Sequence, residues 1–443
     1  MADYLVDGGK RLKGSIVVNP SKNGAVAILI ASLLNDKKTI IENLPKIEEV
    51  FRIIEVLKSI GVEVNWIDKK KTKYGGHTVE LVPPKKIRLD GIDNGPASMT
   101  RSIILFAGAL TGRFPKFSLP ASGGCKLGKR SIMPHIYTLE EFGIKTKVSS
   151  KGYLFTSDKI SPVSNLILYE AGDTVTENAI MVAASIAGKT TIKFASANYQ
   201  VQDLCFFLKK LGVEIEGVGT STLTVYGKKK ISKEVTYALS EDPIEAMLFI
   251  SISITTESSV TIERCPIDFL ELELLKLKKM GFKFKILKEY KARNGYTCLV
   301  DIKTFPSKLK APEEKISAMP YPGINIDNLP FFAVIAMKSK GETLIHDWTY
   351  ENRAVYLLEL NRLGAKVTLA DPHRVFIEGP STLVATDIVC PPALRPSTII
   401  LAAMLGAKGK SKLSNIYSIE RGHEDLCGRL LKLGAEIKKI EDN

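Results

Sequence analysis

Six times along the chain a run of about ten apolar and small residues interrupts an otherwise mixed pattern: AVAILIASLL (25–34), RSIILFAGAL (101–110), NAIMVAASIA (178–187), IEAMLFISIS (244–253), LPFFAVIAMK (329–338) and STIILAAMLGA (397–407). Each is apolar nearly all round, which is the signature of a helix buried in the centre of a domain rather than lying on its surface. After each run the chain breaks and enters a β-rich stretch, such as KKTIIENL, KTTIKFAS or SSVTIERC. A second, amphipathic helical segment follows and ends in a glycine turn into an alternating strand: EVLKSIGVEV, TLEEFGIKTK, FLKKLGVEIE, LKLKKMGFKFK, ELNRLGAKVT and LLKLGAEIK. A helix that stops and reverses into a strand favours a left-handed residue just past its end, where glycine escapes the Cβ clash.

The turn glycines are Gly61, Gly143, Gly212, Gly281, Gly364 and Gly434, with successive spacings of 82, 69, 69, 83 and 70 residues. The repeat is therefore close to seventy residues. It reads strand, buried helix, strand, amphipathic helix, strand, with a further strand in several copies. Six such units predict an α/β protein with three units per domain. The two long spacings carry insertions around FPKFSLPASGGCKLGKRSIMPHI and DIKTFPSKLKAPEEKISAMPYPGINID, one in each half. Insertions in repeat proteins map to loops, often on the binding face.

Composition narrows the function classes. At 443 residues, 45% hydrophobic and 25% charged, the chain has the balance of a globular protein. No apolar run approaches the roughly 20 residues of a membrane helix, and the opening MADYLVDGGKRLKG has no apolar signal-peptide centre, so a cytoplasmic protein is expected. The net charge of +14 suits an anionic ligand. Charge alone leaves nucleic acid, an acidic surface and small phosphorylated molecules all open; lysine runs such as DKKKTK and YGKKKISKE read as solvated loops. The six cysteines and five histidines show no metal-ligand spacing, and the cysteines read mostly as buried thiols.

Two features carry candidate chemistry. The loop LPASGGCKLGKR puts Cys125 among Lys126, Lys129 and Arg130, a composition suited to a flap over an anion and to a thiol with thiolate character. Several of the buried helices begin beside polar or cationic residues: Lys22 and Asn23, Arg101, and Arg395. Free N–H groups at helix starts, reinforced by cations, make anion sites.

At this point the sequence resembles the enolpyruvyl transferases, from end to end. The motifs are SKNGAVAIL, SMTRSIILFAGAL, LPASGGCKLGKR, YPGINIDNLPFF, YENRAVYLLELNRLGA, ALRPSTIILAAMLGAKG and IERGHEDLCGRLLKLGA. The resemblance implies a two-domain inside-out α/β barrel of six βαβαββ units with the helices inside, as in EPSP synthase-like proteins, closing over a cleft when substrate binds. It implies one lobe from residues 1–21 and 240–443 and another from 22–239. By resemblance Lys22, Asn23, Arg130, Arg353, Arg395 and Arg421 bind phosphoenolpyruvate, whose crowded negative charge suits bidentate guanidinium groups. Cys125 is implied as the acid that protonates C3, and Asp327 as the base for the acceptor hydroxyl, with Lys22 and Arg395 completing the catalytic set. Asn23, Arg101, Arg130, Ser131, Ile132, Met133, Pro134, Asp327 and Thr349 are implied to seat the acceptor, a nucleotide sugar of the UDP-N-acetylglucosamine type. No cofactor, metal, nucleic acid or membrane partner is expected.

The chain departs from the family pattern at several points. Ala121 and Ser122 lengthen the cysteine loop. Ala393 stands two residues before Arg395 where an aspartate is the pattern, leaving Asp387 to return from further back or the role to be lost. YEAGDTVTENAIM differs from the family's acceptor-binding turn, NYQVQDL carries amides and a tyrosine, including Gln200, in place of acids, and EDPIEA keeps Asp242 and Glu245 but has Pro243 in place of a basic residue. Shikimate 3-phosphate or another uridine nucleotide as acceptor, and a non-catalytic nucleotide or RNA binder, are the alternative readings.

Overall fold

A computed structural model describes residues 2–67, 76–121, 123 and 131–441. The chain divides into two compact units, a terminal unit of residues 2–19 and 241–441 and an inserted unit within residues 20–240. Each holds three sheets among its described residues.

The repeat read from the sequence is the repeat of the fold. All six turn glycines have positive φ, between 86° and 99°. Each stands between a helical segment and a strand: Glu63–Trp66, Ile144–Ser149, Glu214–Glu216, Lys283–Lys291, Lys366–Asp371 and Glu436–Glu441. One segment differs from expectation. Residues Ala354–Leu363 wind as a 3₁₀ helix, with Tyr356 N–H donating to the Arg353 carbonyl. Asn361 in this turn clamps both the N–H and C=O of Val367 on the next strand, at 2.7 and 2.9 Å, which ties the end of the 3₁₀ segment to the strand that follows.

The apolar runs form the buried helices. In the terminal unit these are Pro243–Thr255, Phe331–Ala336 and Leu394–Gly406, and all thirteen residues of the first are buried. Ser251 and Ser253 sit in that dry helix because their hydroxyls donate to the carbonyls of Leu248 and Ile250. In the inserted unit the helices are Lys22–Ala31, Leu105–Thr111 and Asp173–Ser185. The last two meet so closely that a Cβ at Gly108 would lie 2.5 Å from Asn178 Oδ1, the atom that accepts the Gly108 N–H.

The sheets wrap these helices with a common grammar. A parallel pair needs a long crossover, which a buried helix supplies. Thus Lys13–Val17 lies parallel to Ser259–Pro266 across helix Pro243–Thr255, and the remaining strands of that sheet add antiparallel. Each unit is closed by borrowing from its far end. Val235–Ala238 completes the sheet of Thr39–Leu44, and Ala2–Gly8 lies between Gly409–Ser414 and Glu436–Glu441. Part of the positive charge protects an edge: on the outer strand Lys283–Lys291 the four lysines Lys283, Lys285, Lys288 and Lys291 are exposed.

The terminal unit is pinned near its chain crossing by a buried carboxylate. Glu245, in the first turn of helix Pro243–Thr255, accepts from the backbone N–H and side-chain amide of Asn19 and pairs with Arg429. His423 lies 3.6 Å away. Burial pushes the Glu245 carboxyl up, but Arg429 and His423 outweigh it and hold it near 2, below its ordinary 4.5. A carboxyl depressed by folding contributes stability above about pH 4.5 and loses it as the pH falls toward 2. Arg429→Met should therefore lower the unfolding free energy by about 3–5 kcal/mol in urea titrations, the loss expected when one partner of a buried pair is removed, and should move acid unfolding to higher pH.

Candidate functional site

In the terminal unit the sequence-selected residues Asp327, Arg353 and Arg395 come together. Arg395, second residue of helix Leu394–Gly406, donates to Asp327 Oδ2 at 3.1 Å. Arg353 Nη1 lies 3.8 Å from Asp327 Oδ1. Arg353 is only 1% exposed: its Nε donates to Asp347, its Nη2 donates to the Ile326 carbonyl at 2.8 Å, and its guanidinium lies 4.3 Å from the centre of the Tyr350 ring. Asp347 is fixed in turn by His373 through backbone and ring contacts of 2.7 and 2.8 Å. Sequence reasoning missed Asp347. Its signal is a carboxylate six residues before a buried arginine, which nothing but the folded turn identifies as its partner.

Arg421 ends the short helix Tyr417–Glu420 and is half-buried, and Thr349 is exposed on the turn before Arg353. Asp387 does not take the place left by Ala393 as a free carboxylate: it is exposed, accepts the Lys412 N–H at 2.9 Å, and its carbonyl accepts from Arg362. Pro243 occupies the first position of its helix, where its missing N–H costs nothing, and Asp242 caps that helix by accepting the Ile244 N–H at 2.8 Å.

In the inserted unit Lys22 opens its helix, capped by Ser21, and its ammonium pairs with Glu49 at 2.9 Å. Asn23 donates to the Tyr199 hydroxyl at 3.0 Å. Two of the departures noted in the sequence are partners of one another. Asn198 donates to Asp173 at 3.0 Å and Gln200 donates to Glu177 at 3.0 Å, so the amides of NYQVQDL meet the acids of YEAGDTVTENAIM. Burial, with Asp173 nearby, pushes the Glu177 carboxyl well above its ordinary range, against the opposing bond from Gln200.

Arg101 opens a 3₁₀ turn capped by Thr100. Ser131 accepts the Met133 N–H, Ile132 is half-buried, and Met133 and Pro134 begin helix Met133–Glu141. The next residue, His135, is buried with Nδ1 facing the Asn178 amide at 2.8 Å and Nε2 near Thr174. Cys125, Lys126, Lys129, Arg130 and Ser122 lie outside the described residues. The five described cysteines are free thiols, and among the described residues no His, Cys, Asp and Glu cluster is placed to hold a metal ion.

The profile of the EPSP synthase (3-phosphoshikimate 1-carboxyvinyltransferase) family matches residues 6–430. The chain belongs to this family of enolpyruvyl transferases. It is similar to the UDP-N-acetylglucosamine 1-carboxyvinyltransferases of Borreliella burgdorferi, 30% identical, and Treponema denticola, 33% identical, in both cases over 100% of each chain. The enzyme of that name from Bradyrhizobium diazoefficiens is 32% identical over 99% of this chain and 98% of its own. Among solved structures, the enolpyruvyl transferase NikO from Streptomyces tendae superposes with a TM-score of 0.85 at 22% identity, covering 100% of this chain and 99% of its own. An EPSP synthase from Acinetobacter baumannii superposes with a TM-score of 0.75 at 16% identity, covering 100% of both. These likenesses establish the inside-out α/β fold.

Within this enolpyruvyl transferase fold, His135 gives a test of the inserted unit's electrostatics. Burial pushes its imidazole down to about 4, and Arg101 adds to the effect. NMR titration should find the ring neutral down to about pH 4, and Arg101→Ala should move the midpoint upward; an unshifted midpoint separates Arg101 from the histidine.

Proposed function

We propose that the protein transfers the enolpyruvyl group of phosphoenolpyruvate to the 3′-hydroxyl of UDP-N-acetylglucosamine with release of phosphate, the first committed step of peptidoglycan precursor synthesis, in the cytoplasm. The observation that carries this reading is the carboxylate of Asp327, held at 3.1 Å by Arg395 and flanked at 3.8 Å by Arg353. The choice of acceptor follows the relatives named UDP-N-acetylglucosamine 1-carboxyvinyltransferase that match the whole chain.

The reaction asks for two proton movements and a field of positive charge. As the acceptor oxygen attacks C2 of phosphoenolpyruvate, its proton passes to Asp327 and C3 takes a proton from Cys125. The tetrahedral ketal then loses phosphate and a C3 proton to restore the double bond. Lys22, Asn23, Arg130, Arg353, Arg395 and Arg421 serve as the phosphoenolpyruvate ligands in this reading. Guanidinium groups hold phosphate and carboxylate in fixed orientation, so charge that develops at the phosphate is met without reorganisation. The ion pair of Asp327 with Arg395 orients the base in this reading. Asn23, Arg101, Arg130, Ser131, Ile132, Met133, Pro134, Asp327 and Thr349 are assigned to the acceptor.

Phosphate release from phosphoenolpyruvate, measured with UDP-N-acetylglucosamine, shikimate 3-phosphate and UMP offered separately, should occur with the amino-sugar nucleotide alone. Release with another acceptor moves the protein to a sister activity, and none with any of them removes the reading. Asp327→Asn should lower turnover by about 10²- to 10⁴-fold, the range of a lost general base. Cys125→Ser should slow turnover and abolish labelling by thiol-reactive epoxides; unchanged turnover and labelling would take Cys125 out of the mechanism.

A further inference from the structure

We propose that Glu273 is a positioning residue for Asp327, holding the loop that presents this carboxylate through the two residues that bracket it. The proposal rests on the role given to Asp327 above. Glu273 lies on helix Glu271–Lys279, a helix otherwise lined inside by Leu274 and Leu277, and is 2% exposed. A single carboxylate oxygen, Oε1, accepts from the backbone N–H of Asn325 at 3.1 Å and from the side-chain amide of Asn328 at 2.9 Å. Asn325 then passes the restraint on, because its own Oδ1 accepts the backbone N–H of Asp327 at 2.9 Å. From another direction Arg353 takes the Ile326 carbonyl. Every residue from 325 to 328 is therefore tied, and the backbone of Asp327 is reached from Glu273 through Asn325, which it holds.

The choice of residue is informative. Among the described residues its hydrogen-bond partners are amides rather than a cation. Burial pushes its carboxyl up, against the opposing bonds from Asn328 and Asn325. A leucine would fill the same helix face without that desolvation penalty. What a leucine lacks is an acceptor long enough to reach two donors three residues apart. A base must sit within a fraction of an ångström of the proton it takes, and misplacement by about 1 Å can lower a rate by about 10²-fold.

Reach, not charge, is thus the property to vary. Glu273→Asp keeps the charge and withdraws the oxygen by one methylene; it should lower kcat by about ten- to hundredfold with KM for phosphoenolpyruvate within about twofold. Glu273→Gln keeps an oxygen at the original reach and should restore kcat to within about threefold of the unsubstituted enzyme. On the Asp327→Asn background, Glu273→Asp should cause no further loss. Independently of turnover, hydrogen exchange at the Asn325 amide should quicken in Glu273→Asp and stay slow in Glu273→Gln. The proposal is overturned if the Gln variant falls as far as the Asp variant, if the Asp variant's loss persists without the Asp327 carboxylate, or if Asn325 exchange does not respond. An unsubstituted protein that releases no phosphate with any acceptor defeats the reaction assignment, and the exchange measurement then decides alone whether Glu273 holds the loop.

Discussion

A helix that is apolar on every face has no side left for chemistry, only its ends. That constraint organises both units. The buried helices can lie at the centres of their units only if side chains along their length are dry, and so polar groups gather where each helix starts. Lys22, Arg101 and Asp173 stand at or just before such starts in the inserted unit, and Asp242, Asp327 and Arg395 do so in the terminal unit. Repetition of one folding unit therefore repeats one chemical opportunity, a polar residue beside unpaired backbone N–H groups. The copies have filled it with different signs of charge.

Charges at such positions are largely desolvated and need partners to persist. The terminal unit solves this twice. Around Asp327 two arginines are held in place, Arg353 by Asp347 and the Ile326 carbonyl and Arg395 by Asp327 itself. Around Glu245 the solution is closed: Asn19, Arg429 and His423 surround one carboxylate and leave it a structural anchor beside the chain crossing. Similar residue types thus serve two arrangements, a pair of arginines around one carboxylate and a ring of arginine, histidine and amide around another.

Much of the fold was legible because its determinants are local. Six left-handed glycines and six all-apolar runs state the repeat, since steric freedom at a turn and burial of a helix leave marks in adjacent residues. The grouping of Asp327 with Arg395 was partly legible for the same reason, as charges beside apolar runs. What stayed hidden was pairing. Asp347 reads as one acid among many until the turn at Tyr350 folds it onto Arg353. Glu273, in ELELLKLKK, looks like a solvated helix position, because a carboxylate among lysines is ordinarily on the wet face. The 3₁₀ winding of Ala354–Leu363 was hidden too, since an amphipathic pattern of apolar positions does not by itself separate a 3₁₀ from an α-helical winding.

The departures from family pattern show how such hidden pairing constrains change. Read singly, the acids of YEAGDTVTENAIM and the amides of NYQVQDL are unrelated irregularities. In the fold they face each other across Asp173–Asn198 and Glu177–Gln200. A buried acid opposite another acid would be driven to share a proton, whereas an amide opposite it offers a donor in every protonation state. Placing acids on one helix therefore demands amides on the other, and the two irregularities are a single arrangement. The same holds for Asn23, whose amide has the Tyr199 hydroxyl as its acceptor in a position next to Gln200. The residues nearest the start of helix Lys22–Ala31 are thus supported by the very segment that departs from pattern. The altered polarity is internally satisfied, and its segments fold as one paired unit.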